Sequence, residues 1–151
     1  MRIIADLGEL STLVGEDVAL GDWFLIDQQR VANFAEATED RQWIHLDAER
    51  AQLESPFKGT IAHGFLTLSL LPHLLHQALR IEGLRLIVNY GLNRVRFPGP
   101  VRVGTRVRAR VKLAAYLPIP GGAQIEWMVM IEREGEMRAG CVASLLLRLF
   151  T

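Results

Sequence analysis

Asp40-Arg41-Gln42-Trp43-Ile44-His45-Leu46-Asp47 sets a carboxylate and an imidazole five residues apart, two groups suited to taking and returning a proton near neutral pH. On an α-helix that spacing places the side chains about 140° apart, so they converge only if the segment is a loop. In such a loop Trp43 and Ile44 are expected to bury into the body and leave Asp40 and His45 side by side on a cleft wall, spaced for proton transfer through one water. The other account of the same spacing is that Asp40 ends a helix and His45 satisfies a backbone carbonyl. Asp47 is read as a helix cap, outside this chemistry.

The second segment with chemistry in it is Gly59-Thr60-Ile61-Ala62-His63-Gly64-Phe65. It enters an apolar run with no Ser, Thr, Asp or Asn at the cap, so the first amides of that helix have no evident side-chain acceptor. Amides of this kind suit a developing oxyanion, and Gly64 is the candidate donor; water, Thr60 or a neighbouring loop is the alternative cap. The imidazoles and carboxylates of His45, Asp47, His63, His73 and His76 show neither HExxH nor facial-triad spacing, and no metal site is expected. The basic residues from Arg102 to Lys112 alternate with apolar ones and have no interleaved aromatics, which describes a solvated sheet face better than a nucleic-acid groove.

Several elements must hold these residues. Asp27 followed by Gln28 to Thr38 reads as a capped amphipathic helix, and Asp47 caps a second helix, Ala48 to Leu53, that stops before Pro56. From Phe65 the leucines at 66, 68, 70, 71, 74, 75 and 79 cover nearly every side of one buried helix, kinked or repaired at Pro72 and finished by Gly83. The remainder reads as long strands, Leu84 to Phe97, Val101 to Leu117, Ala123 to Glu134 and Met137 to Phe150, divided by Pro and Gly clusters. Helices followed by a run of strands predict an α+β fold, a twisted antiparallel sheet wrapped around a buried central helix.

With 151 residues, half of them hydrophobic, and 17 basic side chains balanced by 17 acidic ones, the chain suits one globular domain spanning residues 1–151. A net charge of zero gives no attraction to nucleic acid or to an anionic membrane. Residues 1–60 carry 5 basic and 12 acidic side chains and residues 61–151 reverse this with 12 and 5, which predicts an acidic helical half packed over a basic sheet half. The single cysteine, Cys141, forms no internal disulfide and suits a reducing, cytoplasmic setting. The N-terminus breaks into acidic residues before a secretory core develops, and Gly64 to Leu79 is interrupted and shorter than the roughly 20 residues of a membrane span.

Three ordered motifs carry a resemblance: Phe34-Ala35-x-Ala37-Thr38-x-Asp40-x-Gln42-Trp43-Ile44-His45-x-Asp47, then Pro56-Phe57-x-Gly59-Thr60-Ile61-Ala62-His63-Gly64, then Asn89 to Phe97. From about Val14 to the last strand the chain resembles the MaoC-like dehydratase family, and within it the short (R)-specific enoyl-CoA hydratases. The resemblance implies a hot-dog fold that works as a homodimer or dimer of dimers. It implies reversible hydration of a trans-2-enoyl-CoA thioester to the (R)-3-hydroxyacyl product, with no cofactor beyond the coenzyme A of the substrate. Carried onto this sequence, Asp40 and His45 become the catalytic pair and Gly64 the oxyanion donor. Gln42 stands where relatives have asparagine in an Asp-x-Asn-Pro-x-His pattern, with Trp43 in place of the proline, and becomes a substrate-binding candidate. So does Ser69, six residues after His63, for which helix packing is the alternative. His63 itself is read as a structural residue bonded to backbone at the turn. A thioesterase of the same fold and a non-catalytic acyl-thioester binding module are the competing readings.

Overall fold

The computed structural model describes residues 1–151. The Asp27 carboxylate accepts the Arg30 amide at 2.7 Å and starts α2 (Gln28–Thr38), which buries Val31 and Ala35. The helix ends at Glu39, whose φ of 61° is left-handed; few non-glycine residues adopt this conformation, and it turns the chain sharply. Arg41 spans that turn, donating to the carboxylates of Glu36, at 2.9 Å, and of Glu39. A four-residue helix, α3 (Trp43–Leu46), follows, and Asp47 caps α4 (Ala48–Glu54) by accepting the Arg50 amide at 2.9 Å.

The central helix is two helices, α5 (Gly64–Ser69) and α6 (Leu71–Ala78), joined at Leu70. Pro72 falls in the first turn of α6, where a missing amide costs no intrahelical bond, so the chain breaks ahead of the proline instead of kinking through it. The helical segment stops at Ala78, before Gly83, because Leu79–Ile81 forms β4, paired in parallel with β1 (Arg2–Ile4). Between β1 and the sheet lies α1 (Leu7–Thr12). Asp6 and Glu9 cap it reciprocally, the Asp6 carboxylate accepting the Glu9 amide at 2.8 Å and the Glu9 carboxylate accepting the Ala5 amide at 2.7 Å.

The main sheet is antiparallel, in the order β2 (Asp17–Leu20), β6 (Arg106–Ile119), β7 (Gly122–Arg133), β8 (Cys141–Phe150), β5 (Leu86–Arg96), with β3 (Phe24–Leu25) also paired to β6. Its inner face presents Val107, Ala109, Val111 and Leu113 from β6 and Ile125, Trp127, Val129 and Ile131 from β7, all buried. They join Leu66, Leu70, Leu71, Leu74, Leu75 and Ala78 of the helices in one core, so the sheet covers the α5–α6 pair as the alternation predicts. Cys141 lies in the same core, and burial pushes its thiol pKa up to about 11.

The outer face carries the basic stripe, but its acidic partners come from the sheet. Arg108 and Arg110 each approach Glu132 at 2.8 Å, and Arg106 pairs with Glu134. Burial alone would raise the Glu132 carboxyl, yet the hydrogen bonds from Arg108 and Arg110 outweigh it and hold the group below the usual carboxylate range. This corrects the expected packing of an acidic helical half on a basic sheet. The arginines are neutralised along β7, and the sheet meets the helices through apolar side chains. No helix is long and apolar enough to cross a membrane.

Strand β6 begins at Arg106 and not at Val101. The chain turns at Gly104, at φ 88°, and residues 101–103 leave the sheet to pair with residues 60–62. Ala62 donates to the Val101 carbonyl at 2.7 Å, and Val103 donates to the Thr60 carbonyl at 3.0 Å. The apolar alternation runs unbroken across this turn because both sides of it face the same core, and the break is therefore invisible to a period-2 pattern. The last strand likewise starts at Cys141, after a turn at Gly135, and not at Met137.

Candidate active site

The paired segment 60–62 supports the chemistry. Ile61 donates its amide to the Ile44 carbonyl at 3.1 Å and accepts, on its own carbonyl, the His45 Nδ1 proton at 2.7 Å. Gln28 ties the same region from the other side, donating to the His45 carbonyl at 2.8 Å while its side-chain oxygen accepts the Thr60 hydroxyl at 2.6 Å. With Nδ1 committed as donor, the lone pair of His45 lies on Nε2. His45 is 6% exposed, and its pKa falls below the ordinary 6.5. Burial is the main cause, the Ile61 bond opposes it, neighbouring His63 adds to the lowering and Asp40 opposes it.

Asp40 arrives from the turn at Glu39 with its side chain 55% exposed. Its carboxylate, a ring nitrogen of His45 and a ring nitrogen of His63 lie within 4.8 Å of one another. That is the reach of a single water hydrogen-bonded to a carboxylate and an imidazole together. The two accounts of the spacing both describe His45: one nitrogen satisfies a backbone carbonyl, and the ring lies close to the Asp40 carboxylate. The expectation for the intervening pair needs correction. Trp43 and Ile44 are only half-buried, and Trp43 lies under the Arg50 guanidinium at 4.3 Å, so the buried anchor of α3 is His45 itself.

His63 is bonded to backbone as expected, and the acceptor is the carbonyl of Asp40, 2.9 Å from its Nε2. Its ring stacks on that of His45 with centroids 3.7 Å apart and planes 23° apart. Two carboxylate oxygens and two imidazoles are a chemically plausible ligand set for a divalent ion, but near-parallel stacked rings do not both aim an in-plane lone pair at one point, and Nε2 of His63 is occupied as a donor. The arrangement fits a water better than a metal ion.

Immediately after His63, the amides of Gly64, Phe65 and Leu66 open α5, and no side chain caps the helix. Gly64 packs under Phe97; a Cβ there would lie 3.0 Å from the ring, tighter than ordinary contact. Phe65 and Phe97 meet edge to face at 6.1 Å and remain 69% and 42% exposed. Gln42 is exposed at the start of α3 and makes no capping bond. Ser69 is also exposed, and its hydroxyl donates to the Phe65 carbonyl at 2.7 Å.

Ser69 also lines a cavity of about 890 Å³ between the helices and the β5 side of the sheet, walled chiefly by leucines such as Leu68, Leu75 and Leu145, with Trp127 at its base and Arg85 among its few polar groups. Asp40 and His45 do not line it. The structure therefore brings Asp40 and His45 together at the entrance of α5 and places Ser69 farther along the helix, beside an apolar volume. Sequence reasoning missed Gln28 and Phe97. Gln28 was visible only as the first residue of a capped helix, since its partners are 17 and 32 positions away, and Phe97 only as the end of a strand and of the third motif, with no role attached.

A family model described as a MaoC like domain matches residues 9–117. The chain is 46% identical over 149 residues to 3-hydroxyacyl-thioester dehydratase Z of Mycobacterium tuberculosis (strain ATCC 25618 / H37Rv), covering 98% of each chain. It is 40% identical over 141 residues to nodulation protein N of Rhizobium leguminosarum bv. viciae, covering 91% of this chain and 87% of that one. Among solved structures, the (R)-hydratase from A. caviae involved in PHA biosynthesis superimposes with a TM-score of 0.72 at 27% identity, covering 90% of this chain and 96% of that one. The helix pair under an antiparallel sheet is thus the hot-dog arrangement, and the chain belongs to the MaoC-like dehydratase family.

Proposed function

We propose that this chain is a hydro-lyase that adds water to a trans-2-enoyl thioester, giving the (R)-3-hydroxyacyl thioester, and reverses the step, with Asp40 and His45 handling the water. The carrying observation is the pair itself: a carboxylate and a ring nitrogen of His45 within 4.8 Å, the imidazole fixed by Ile61 and its pKa lowered by burial. Water held between them attacks the β-carbon. Asp40 takes one of its protons while His45 Nε2 accepts a hydrogen bond from the other and orients the oxygen. Negative charge moves to the thioester oxygen, where the Gly64 amide at the open end of α5 stabilises the enolate. The proton held by Asp40 returns to the α-carbon, and the enzyme is restored with no change in oxidation state.

The acyl chain extends into the cavity beyond Ser69, and coenzyme A carries the thioester. Gln42, exposed beside the pair, contacts the substrate. A second copy of the chain pairs along β5, so that the working unit is a homodimer.

Loss of the conjugated-enoyl absorbance of crotonyl-CoA tests the reading, with Asp40→Asn and His45→Gln alongside and product chirality read by an (R)- or (S)-specific dehydrogenase. Each substitution is expected to lower kcat by about 10²–10⁴. Thiol release without hydration, surviving both substitutions, would move the assignment to thioester hydrolysis. Binding of the enoyl thioester without turnover would move it to an acyl-thioester module.

A further inference from the structure

His63 is only 3% exposed; its ring stacks on that of His45, with centroids 3.7 Å apart, and meets that of Phe34 at a tilt of 54°, with centroids 5.0 Å apart. A phenylalanine would fill the same stack. It would also spare the fold a liability, because Nδ1 of His63 is buried with no hydrogen-bond partner. What an apolar ring cannot supply is the Nε2 proton, donated at 2.9 Å to the main-chain carbonyl of Asp40, 23 positions earlier in the chain.

That one bond does something specific. Asp40 sits in an exposed loop between a left-handed turn at Glu39 and a four-residue helix, and its side chain accepts no hydrogen bond from elsewhere in the chain that would fix its direction. Its backbone is tied down at the carbonyl by His63, and the same ring forms the flat surface against which His45 packs. His63 thus touches both members of the pair: it holds the main chain of one and the ring plane of the other.

From this geometry we infer that His63 is a positioning residue, which sets the Asp40 carboxylate and the His45 imidazole at the separation that one water spans. The inference rests on the hydratase reading of that pair. It assigns His63 no contact with substrate and no proton transfer. Misplacing a reacting group by about 1 Å costs on the order of 10²-fold in rate, so loss of the clamp appears in turnover and leaves substrate binding in place.

The test compares His63→Phe, which keeps the stacked ring and removes the donor, with His63→Gln, which restores an amide N–H near the Nε2 position without the ring. With crotonyl-CoA, His63→Phe is expected to lower kcat by about 10- to 100-fold while KM changes less than about 3-fold, and His63→Gln to recover part of that loss. The melting temperature of His63→Phe is expected to hold, since the buried unpaired nitrogen is gone. A His63→Phe enzyme with unchanged kcat, or with its loss confined to KM, overturns the inference. Should the variants not fold, the wild-type protein decides: imidazole ¹⁵N–¹H correlation spectra are expected to place the His63 proton on Nε2, and a proton found on Nδ1 instead overturns the clamp. Wild-type protein that does not hydrate crotonyl-CoA or longer enoyl thioesters would instead overturn the hydratase reading, leaving the tautomer measurement to report on the clamp by itself.

Discussion

The two nitrogens of His45 are used differently, and pH separates their roles. Nδ1 holds its proton against the Ile61 carbonyl, while Nε2 works only as long as it is bare. Burial lowers the pKa below 6.5, so the imidazole stays neutral as pH falls through the range in which an exposed histidine takes up a proton. The acid limb of kcat/KM assigned to His45 is therefore expected below pH 6.5, and His45→Gln should remove that limb along with most of the activity. Stability has the same sign. Between the lowered folded value and the ordinary one the unfolded chain binds more protons, so the contribution of neutral His45 is complete above about pH 6.5 and is lost as pH falls through the folded value. A melting temperature that rises as pH is lowered from 7 to 5 would contradict this assignment. At this scale the sequence was informative about residue types and, His63 apart, silent about anchors. Asp40 and His45 stand out as a carboxylate and an imidazole in one short stretch. Of the residues that fix them, His63 was legible as a backbone-bonded residue at the turn though its acceptor was not, while Gln28 and Ile61 act through a side-chain amide and a carbonyl that leave no periodic or compositional trace.

Helix caps and strand alternation were readable because their causes are local. Asp27 and Asp47 both accept the amide three residues on, and the inward residues of β6 are those that alternation selects. Breaks inside a continuous pattern were not readable, because Gly104 turns the chain without changing which residues are apolar, and Pro72 reads as a kink until its place in the first turn of α6 is known. The turn at Gly104 gives residues 101–103 their function, since they brace the segment that carries Ile61. Arg133 secures the far end of that brace. It is 8% exposed and donates from Nη1 to the Pro100 carbonyl at 2.8 Å and from Nε to the Arg138 carbonyl at 2.9 Å. Arg133→Met keeps the packed stem and leaves both carbonyls without this donor, which is expected to cost about 2–3 kcal/mol, measured by urea unfolding. A loss below about 0.5 kcal/mol would mean that water replaces the guanidinium there without penalty.

For the whole molecule the informative feature is β5. It is the last strand of the sheet, eleven residues long, and it exposes Leu86, Ile87, Val88, Tyr90 and Leu92. A long apolar edge of this kind invites another strand, and a second copy of the chain is the partner consistent with the homodimer proposed above. Val88→Lys places a charge on that edge and is expected to weaken association at least about 10-fold, read as a fall in mass on dilution by light scattering. Retention of the wild-type mass at every concentration would assign the interface to another surface. Overall charge balance gave no hint of this edge, and the uneven distribution of charge along the chain was resolved inside the sheet by Glu132 and Glu134.

Cys141 offers a way to watch this architecture open. It is the sole thiol, at the start of β8, fully buried against the core, with its pKa pushed up to about 11. A disulfide reagent such as DTNB can reach it only when the core around it opens, so at low reagent the labelling rate follows the population of the opened state and at high reagent the rate of opening itself. The folded enzyme then contributes almost no background to a coenzyme A thiol assay, and the same reagent distinguishes thioester hydrolysis from hydration while recording, in an unliganded sample, how often the core opens. Substrate bound beneath the sheet should slow that labelling in proportion to its occupancy, turning one inert sulfur into a binding readout that needs no turnover.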